Sequence, residues 1–532
     1  MRLDRLLGEA SALTRSRAAK AIREGKVTVN GFTVRRPEQK IAVLGFGVSN
    51  RALLRFLKAN GAKNVFLLDL KDSAEARAEA EALAADGTLA GFTFGEGYLD
   101  GLPAGGFDLI FRSPIIRPDE AHIDAAVRNG AVLTSEMEVF MEHCPCPMYA
   151  ITGSDGKTTT TTLTARLLEE HYKDTDVRIW LGGNIGTPLI DKLDLIRPRD
   201  RVVLELSSFQ LMHTRVSPEA SAITNITPNH LNVHKDYQEY IDAKKAIFDR
   251  PLLNRGQTPV LNRGQTRVQK KRVVLNAGNA VTAGIARDLA DNAGDMIVDV
   301  FTAKSAKETA LTLAHNGATA YFDDGKLVFT GFCAGCGACA GQRFELAREN
   351  VQLPGMHNVE NLMTAALLLR TEISPEDVRA VAARFGGVEH RLEKVRELDG
   401  VTYINSSIDS SPERTINALS VFPDRSLVMI AGGKDKNLDY SPLGAHLVRK
   451  VKTLILTGPT ADKIEASLIA AGGSGMVNVI RASSYPEAVN AARQCAVAGD
   501  VVLLSPASTS FDMFKNFEER GNTFKRLVNT LE

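Results

Sequence analysis

Cysteine is scarce, with six residues in a chain of 532. That count excludes a disulfide framework and points to a reducing compartment. Long apolar runs are missing as well. No stretch of about 18 consecutive apolar residues occurs, which argues against a membrane span. The N-terminus is charged from Arg2 onward and lacks the apolar segment of a signal peptide. No charge of one sign dominates: Lys and Arg number 64, Asp and Glu 63, for a formal net charge of +1. The molecule as a whole is therefore no electrostatic binder of nucleic acid or anionic membrane. No solenoid repeat is visible. A cytoplasmic, soluble protein without membrane attachment is expected, and at roughly 100–200 residues per domain it should have three or four domains.

What is present is an alternation of strands and helices. Residues 1–38 stand apart, with many more basic than acidic residues, two short helical patterns and an alternating strand "KVTVNG" closed by Pro37. Then "KIAVLGFGVSNRALLRFLKANGAKNVFLLDL" reads as strand, glycine turn, helix, strand. Segments Phe107 to Pro114 and Gly130 to Glu138 read as further strands of that sheet. The alternation returns around "PMYAITGSDGKTTTTTLTARLLEE" and "RVVLELSSFQ", and again beyond the Gly386-Gly387 hinge in "TYINSS", "SLVMIAGG", "KTLILTG", "MVNVIRA" and "DVVLLSPAS". The fold class is α/β with parallel sheets covered on both faces. The expected division is 1–38, 39–136, 137–386 and 387–532. A local duplication, Leu253 to Lys271, reads as a surface loop without a functional account.

Chemistry concentrates in a few places. "ITGSDGKTT" keeps Gly153, Gly156, Lys157 and Thr158 of a phosphate loop, with Ile151 where the first glycine usually stands. Backbone N–H groups and a helix N-terminus suit an anion there, a lysine suits outer phosphates, and a hydroxyl suits magnesium. "GFGVSN" is a partial glycine-rich turn lacking its third glycine, with Asp69 ending the next strand. A generic βα turn and a nucleotide-type site both fit it. Glu205 lies inside an apolar strand, where an unpaired carboxylate is costly and a metal would resolve the cost. His230 and His234, four apart, fit a helix-surface pair or a metal ligand; magnesium prefers oxygen but tolerates nitrogen. Cys333, Cys336 and Cys339 lack an evident fourth ligand, so a small-residue loop is expected rather than a zinc or iron–sulfur site. Asn358 and Asn361 share one helix face.

Taken in order, "ITGSDGKTT", "GGNIGTP", "ELSSFQL", "NITPNHLNVHKDYQEYIDAKKAIF", "PGMHNVEN", "HRLEKV" and "SPASTSFDMFKNFEERGN" resemble the Mur ligases of bacterial cell-wall synthesis. The last segment and "YINSSIDSSPERT" resemble the branch that adds D-glutamate. The resemblance covers residues 40–532. It implies a Rossmann-like domain for a UDP-sugar, a central ATPase domain, and a C-terminal Rossmann-like domain for the amino acid. It also implies an ATP-dependent reaction: the carboxylate of UDP-N-acetylmuramoyl-L-alanine is phosphorylated, and D-glutamate's amine attacks the acyl phosphate. The family's shorter loop accounts for Ile151. Residues 1–38 resemble an αL-type RNA-binding module, with Arg15, Arg17 and Lys20 on a basic face.

By resemblance, Gly153, Ser154, Asp155, Gly156, Lys157, Thr158 and Thr159 hold ATP, with Asn358, Asn361 and Arg391 also toward the nucleotide. Thr158, Glu205, His230 and Lys244 are the expected ligands of two magnesium ions, Lys244 as a carbamate; Lys157, Glu205, His230 and Lys244 are the expected catalytic set. Lys245 is adjacent, and the family register favours Lys244. Ser49, Asp69, Ser113, Asn184 and Gln210 fall on the UDP-sugar side; Lys436, Ser510 and Phe517 fall where D-glutamate is held. A monomer is expected, with RNA as a partner of residues 1–38. Three departures stand out: Ser406 and Asn232 replace aspartates, and Ile115 replaces a frequent glycine. These departures motivate the alternative of an RNA-binding or regulatory protein with a degraded ligase body. A sister ligase taking another amino acid, or a folylpolyglutamate synthase, is the third reading, and the C-terminal motif argues against the synthase.

Overall fold

The computed structural model describes residues 28–29, 32–33, 39–229, 233–250, 271–292, 296–303, 317–332, 341–353, 355–435 and 438–532. The chain forms two compact units, Met1–Arg384 and Phe385–Glu532. The boundary falls just before Gly386 and Gly387, the latter in the left-handed region.

Unit one begins with a short antiparallel ribbon, Thr28–Val29 against Phe32–Thr33. A five-stranded sheet follows in the order Gly91–Phe94, Asn64–Asp69, Lys40–Leu44, Leu109–Arg112, Val132–Thr134. All its pairs are parallel. The chain winds outward in both directions from the central strand Lys40–Leu44. The strand order reverses there, and beyond the carboxyl ends of the strands finishing at Leu44 and Arg112 is where open α/β sheets take their ligands. Gly45 makes the first turn with φ +92°, and a Cβ there would lie 2.9 Å from Ser113 Cβ. Only glycine fits that approach without strain. The stretch Gly130 to Glu138 is not one strand, as the sequence suggested. The strand stops at Thr134, and Ser135 caps the helix Glu136–His143 by accepting from the Glu138 N–H. Serine followed by two glutamates in the first turn is a helix-start signal that outweighed the apolar run.

A nine-stranded sheet forms the rest of unit one. Its order is Gln342–Ala347, Lys326–Phe332, Thr319–Asp323, Ile297–Thr302, Arg272–Asn276, Ala220–Ile223, Met148–Thr152, Arg201–Glu205, Ile179–Gly183. Seven strands run parallel, and the first two named are antiparallel additions. Met148–Thr152 is buried along its whole length, as an interior parallel strand requires. Helices Lys157–His171 and Met356–Leu368 pack together over this sheet.

Unit two holds a six-stranded sheet in the order Glu393–Leu398, Val401–Asn405, Val501–Leu504, Leu427–Gly432, Val451–Thr457, Asn478–Arg481. The first pair is antiparallel and the remainder parallel. Two apolar clusters, one on each face, bury Leu427, Met429 and Leu454 on one side and Val428, Ile430 and Ile455 on the other. No helix of the described residues is long and apolar enough to cross a membrane.

Candidate active site

The carboxyl ends of Met148–Thr152, Arg201–Glu205 and Ala220–Ile223 meet at the phosphate loop. Gly153 has φ +151°, and a Cβ there would overlap Thr224 Oγ1. Gly156, at φ +80°, precedes the helix Lys157–His171, and a Cβ there would overlap Asn361 Oδ1. No side chain caps that helix, so its first-turn N–H groups stay open to an anion. The loop is braced from behind. Ser154 N donates to Asn225 O (2.9 Å), Asp155 N donates to Asn225 Oδ1 (2.9 Å), and Thr224 Oγ1 donates to Asp155 O (2.6 Å). Lys157 Nζ donates to Gly153 O (2.9 Å) and Ser154 O (2.8 Å), folding the cation over its own loop. The threonine run has a local use: Thr162 and Thr164 donate back to Thr158 O and Thr160 O. Asn361 Nδ2 donates to Asn358 Oδ1 (3.1 Å), and Asn361 Oδ1 accepts from Thr160 Oγ1 (3.2 Å). The two asparagines thus share a face beside the phosphate loop.

Glu205 ends its strand almost fully buried. Its Oε1 accepts from Asn184 Nδ2 at 2.8 Å, while its Oε2 is buried without a hydrogen-bond partner. Asn184, assigned from sequence to the sugar side, is therefore in contact with the carboxylate assigned to metal. The buried, unmatched Oε2 is the observation that fits a cation. No three His, Cys, Asp or Glu side chains converge among the described residues, and His230 lies outside them.

Of the adjacent lysines, Lys244 turns inward. Its Nζ donates to Gly153 O (2.8 Å) and lies 4.6 Å from the centre of the Tyr240 ring. Burial, and then the charge of Lys157, hold this amine well below the usual lysine range.

At the five-stranded sheet, Asp69 accepts from the N–H groups of Phe46 and Lys71, tying together the turns after Leu44 and Asp69. Ser113 N donates to Leu44 O (3.0 Å), and Ser49 lies in the first turn of helix Val48–Ala59. Ile115 is 86% exposed; Leu70 and Val48, at the same sheet edge, are also exposed. Gln210 Oε1 accepts from Ser207 N (3.0 Å) in a capping box of helix Ser208–Leu211, so part of its amide is spent locally.

In unit two the sheet's carboxyl end is lined with hydroxyls. Arg520 is buried and donates to Ser407 Oγ (3.0 Å), Ser407 O (2.8 Å) and Ser508 O (3.0 Å), clamping two loops. Ser510 is buried nearby in sequence, and Phe517 opens helix Phe517–Asn529, its carbonyl accepting from Ser407 Oγ (2.8 Å). Asp409 is buried and accepts from Ser505 Oγ (2.8 Å) and from Ser406. Burial pushes its carboxyl up to about 6, against those hydrogen bonds and the charges of Arg391 and Arg414. Arg391 is exposed, between His390 and Leu392, which both take positive φ.

Three family patterns match the chain: the Mur ligase middle domain over residues 151–369, the Mur ligase glutamate ligase domain over 390–508, and the S4 domain over 1–43. A protein of Ruminiclostridium cellulolyticum named UDP-N-acetylmuramoylalanine–D-glutamate ligase is 41% identical over 498 residues, covering 93% of this chain and 97% of its own. One of the same name from Acetivibrio thermocellus is 42% identical over 511 residues, covering 95% and 99%. This chain belongs to the Mur ligase family. A solved MurF of Acinetobacter baumannii is 14% identical with TM-score 0.49, covering 79% of this chain and 90% of that one.

Within this Mur ligase, several expected residues lie outside the described ones: His230, Asn232, Lys436, the three cysteines Cys333, Cys336 and Cys339, and the body of the N-terminal module. The duplication from Leu253 lies there too, save Lys271. His234 departs from the helix-surface pair. It lies in the turn before helix Tyr237–Lys245 and is buried, with Nε2 2.9 Å from Ser208 Oγ. Sequence reading passed over Thr224 and Asn225, which brace the loop, although both stand in the "TNIT" run beside it. Asp409 and Arg520 were missed because nothing local marks a charged residue as buried.

Proposed function

We propose that this Mur ligase joins the L-alanyl carboxylate of UDP-N-acetylmuramoyl-L-alanine to the amine of D-glutamate, using ATP, in peptidoglycan precursor synthesis. The observation that carries the proposal is about 40% identity, over nearly the full length of both chains, to proteins of that printed name. The residues supply a consistent chemistry. A carboxylate is a poor electrophile, so an oxygen of it attacks the γ-phosphorus of ATP and ADP leaves. The amine of D-glutamate then attacks the acyl phosphate, and the tetrahedral adduct expels phosphate. Two anions must meet in the first step. The open N-terminus of helix Lys157–His171 and the Lys157 ammonium would hold the phosphates where charge is transferred. Asn358 and Asn361 would orient the nucleotide beside Gly156. Thr158, Glu205, His230 and Lys244 are the residues that would hold magnesium, which when bound neutralises the phosphates and the attacking carboxylate. The depressed Lys244 amine is the neutral form that adds carbon dioxide, in keeping with a carbamate there. Ser49, Asp69, Ser113, Asn184 and Gln210 would face the UDP-sugar, and Arg391 the nucleotide. Lys436, Ser510 and Phe517 would hold D-glutamate.

The working division into 1–38, 39–136, 137–386 and 387–532, a cytoplasmic location and a monomeric state belong to the same proposal. RNA binding by residues 1–38 is proposed on the S4 match, and filter binding to structured RNA with and without those residues tests it. The deciding assay supplies ATP, magnesium and UDP-N-acetylmuramoyl-L-alanine and compares amino acids for phosphate release. Release with another amino acid but none with D-glutamate moves the chain to a sister activity.

A further inference from the structure

Between the turn after Arg112 and the phosphate loop runs a chain of side chains with no role in the chemistry above. Arg117, in the loop that follows Ser113, forks onto Glu239: Nη2 to Oε1 at 2.8 Å and Nη1 to Oε2 at 3.1 Å. Glu239 belongs to helix Tyr237–Lys245, which also carries Lys244. Glu239 Oε2 lies 3.4 Å from His234 Nδ1, an electrostatic contact rather than a well-aligned hydrogen bond. His234 Nε2 meets Ser208 Oγ at 2.9 Å, just past the strand that ends in Glu205. The imidazole stacks on Phe209, centroids 5.4 Å apart at 10°, and meets the Tyr240 ring edge-on at 5.2 Å. Tyr240 OH lies 2.9 Å from Ser154 Oγ in the phosphate loop.

A phenylalanine would fill this aromatic slot without burying two ring nitrogens. Burying an imidazole is unfavourable unless both nitrogens find polar neighbours. Here Nε2 has the Ser208 hydroxyl and Nδ1 faces the Glu239 carboxylate as a charge contact, and the two neighbours belong to different elements. One is the Ser207–Gln210 turn beside Glu205; the other is the carboxylate that holds Arg117. The Arg117 fork on Glu239 ties the five-stranded sheet's ligand-side loop to the helix that delivers Lys244, and His234, set between Glu239 and Ser208, ties that helix to the turn beside Glu205. We propose that His234 is a positioning residue that makes the geometry of Ser154 and Lys244 depend on the placement of the Arg117 loop, and so couples nucleotide-sugar binding to the ATP site. The proposal rests on the reading of the Ser113 loop as part of the UDP-sugar site. Contiguity alone does not demonstrate coupling, so the test measures the coupling itself.

Calorimetric affinity for UDP-N-acetylmuramoyl-L-alanine is measured with and without a non-hydrolysable ATP analogue, in wild type, His234→Phe, His234→Gln and Arg117→Lys. In wild type the analogue is expected to tighten the nucleotide-sugar by about fivefold or more. In His234→Phe each ligand alone should bind within about threefold of wild type, while the mutual effect falls to nearly one and kcat drops about tenfold. His234→Gln, which keeps one polar contact, should recover part of both. Arg117→Lys, which keeps the charge and loses the fork, should show the same loss of coupling. Unchanged coupling in His234→Phe and Arg117→Lys overturns the proposal. So does a uniform loss of both single affinities with a collapsed melting transition, since that marks a purely structural residue. Should His234→Phe not fold, Arg117→Lys alone decides. The D-glutamate assay is run separately. Its failure removes the proposed activity, whereas retained coupling with failed turnover leaves the His234 inference standing.

Discussion

Glu136 gives a prediction whose size follows from its surroundings. It opens the helix Glu136–His143, where the helix N-terminus favours a negative charge. Burial opposes that and wins. The side chain is 4% exposed, its Oε1 has no hydrogen-bond partner, and the Asp191 charge adds to the effect against one N–H from Ile190. The carboxyl is pushed from 4.5 up to about 8. A folded-state value raised this far corresponds to about 5 kcal/mol between the two protonation states. The sign runs against high pH. Below 4.5 both folded and unfolded chains carry the proton and nothing is lost. Between 4.5 and about 8 the unfolded chain ionises while the folded one stays neutral, so stability falls by about 1.4 kcal/mol for each pH unit. Above about 8 both are ionised and the loss is complete. Glu136→Gln removes the titration and supplies an amide donor beside Asp191, whose Oδ1 is likewise buried and unmatched. Melting of wild type and variant is compared at pH 5.5 and 8.5 in one ionic strength. The variant should gain on wild type by about 3 kcal/mol across that interval, or about 4 °C in Tm for a unit of this size. Parallel profiles, with a gap that does not change with pH, would show that Glu136 is not held neutral and would refute the reasoning.

Lys157→Ala should abolish D-glutamate-dependent phosphate release while leaving the melting transition within a few degrees, because the ammonium sits over its own loop carbonyls; retained turnover removes the phosphate-loop assignment. Gly156→Ala drives a Cβ into Asn361 Oδ1 at a left-handed φ, so nucleotide affinity measured by fluorescence titration should fall about tenfold with a stability loss of about 1 kcal/mol or more. Ser406→Asp places a second carboxylate against Asp409 in a fully buried position, so it should lower stability and activity, more at pH 8 than at pH 5. Asp409→Ala in the same chain should restore most of both, since one carboxylate then remains.

What could be read from the sequence was whatever the chain writes locally. Strand-turn-helix order, the glycines at 45, 153 and 156, and the lysine after Gly156 all depend on neighbours within a few residues, and their geometry is on the page above. What could not be read depends on partners far along the chain. Lys244 and Lys245 are chemically identical and differ by about 100° around a helix; only the packing of that helix over the phosphate loop separates them. Gln210 looks free in sequence and is partly spent on a cap three residues away. Asn184, placed by resemblance on the sugar side, also donates to Glu205, which lies on a neighbouring strand of the same sheet.

Ser406 shows the difference most sharply. Compared position by position with the family, it is a missing carboxylate. In the fold, Asp409 is turned back under the same strand ends, with its N–H on Ser406 O at 3.0 Å and its carboxylate between Ser406 and Ser505. A buried site answers to the charge held in its volume, not to the residue number that brings it. By that count the loop after Asn405 holds one carboxylate, and a second would be repelled. The same reasoning makes the Ser406 and Asp409 pair a sharper object than either residue. Replacing Asp409 alone should remove the only acid among the described residues 405–411, and a loss of activity there that Ser406→Asp repairs would show the two positions sharing one role.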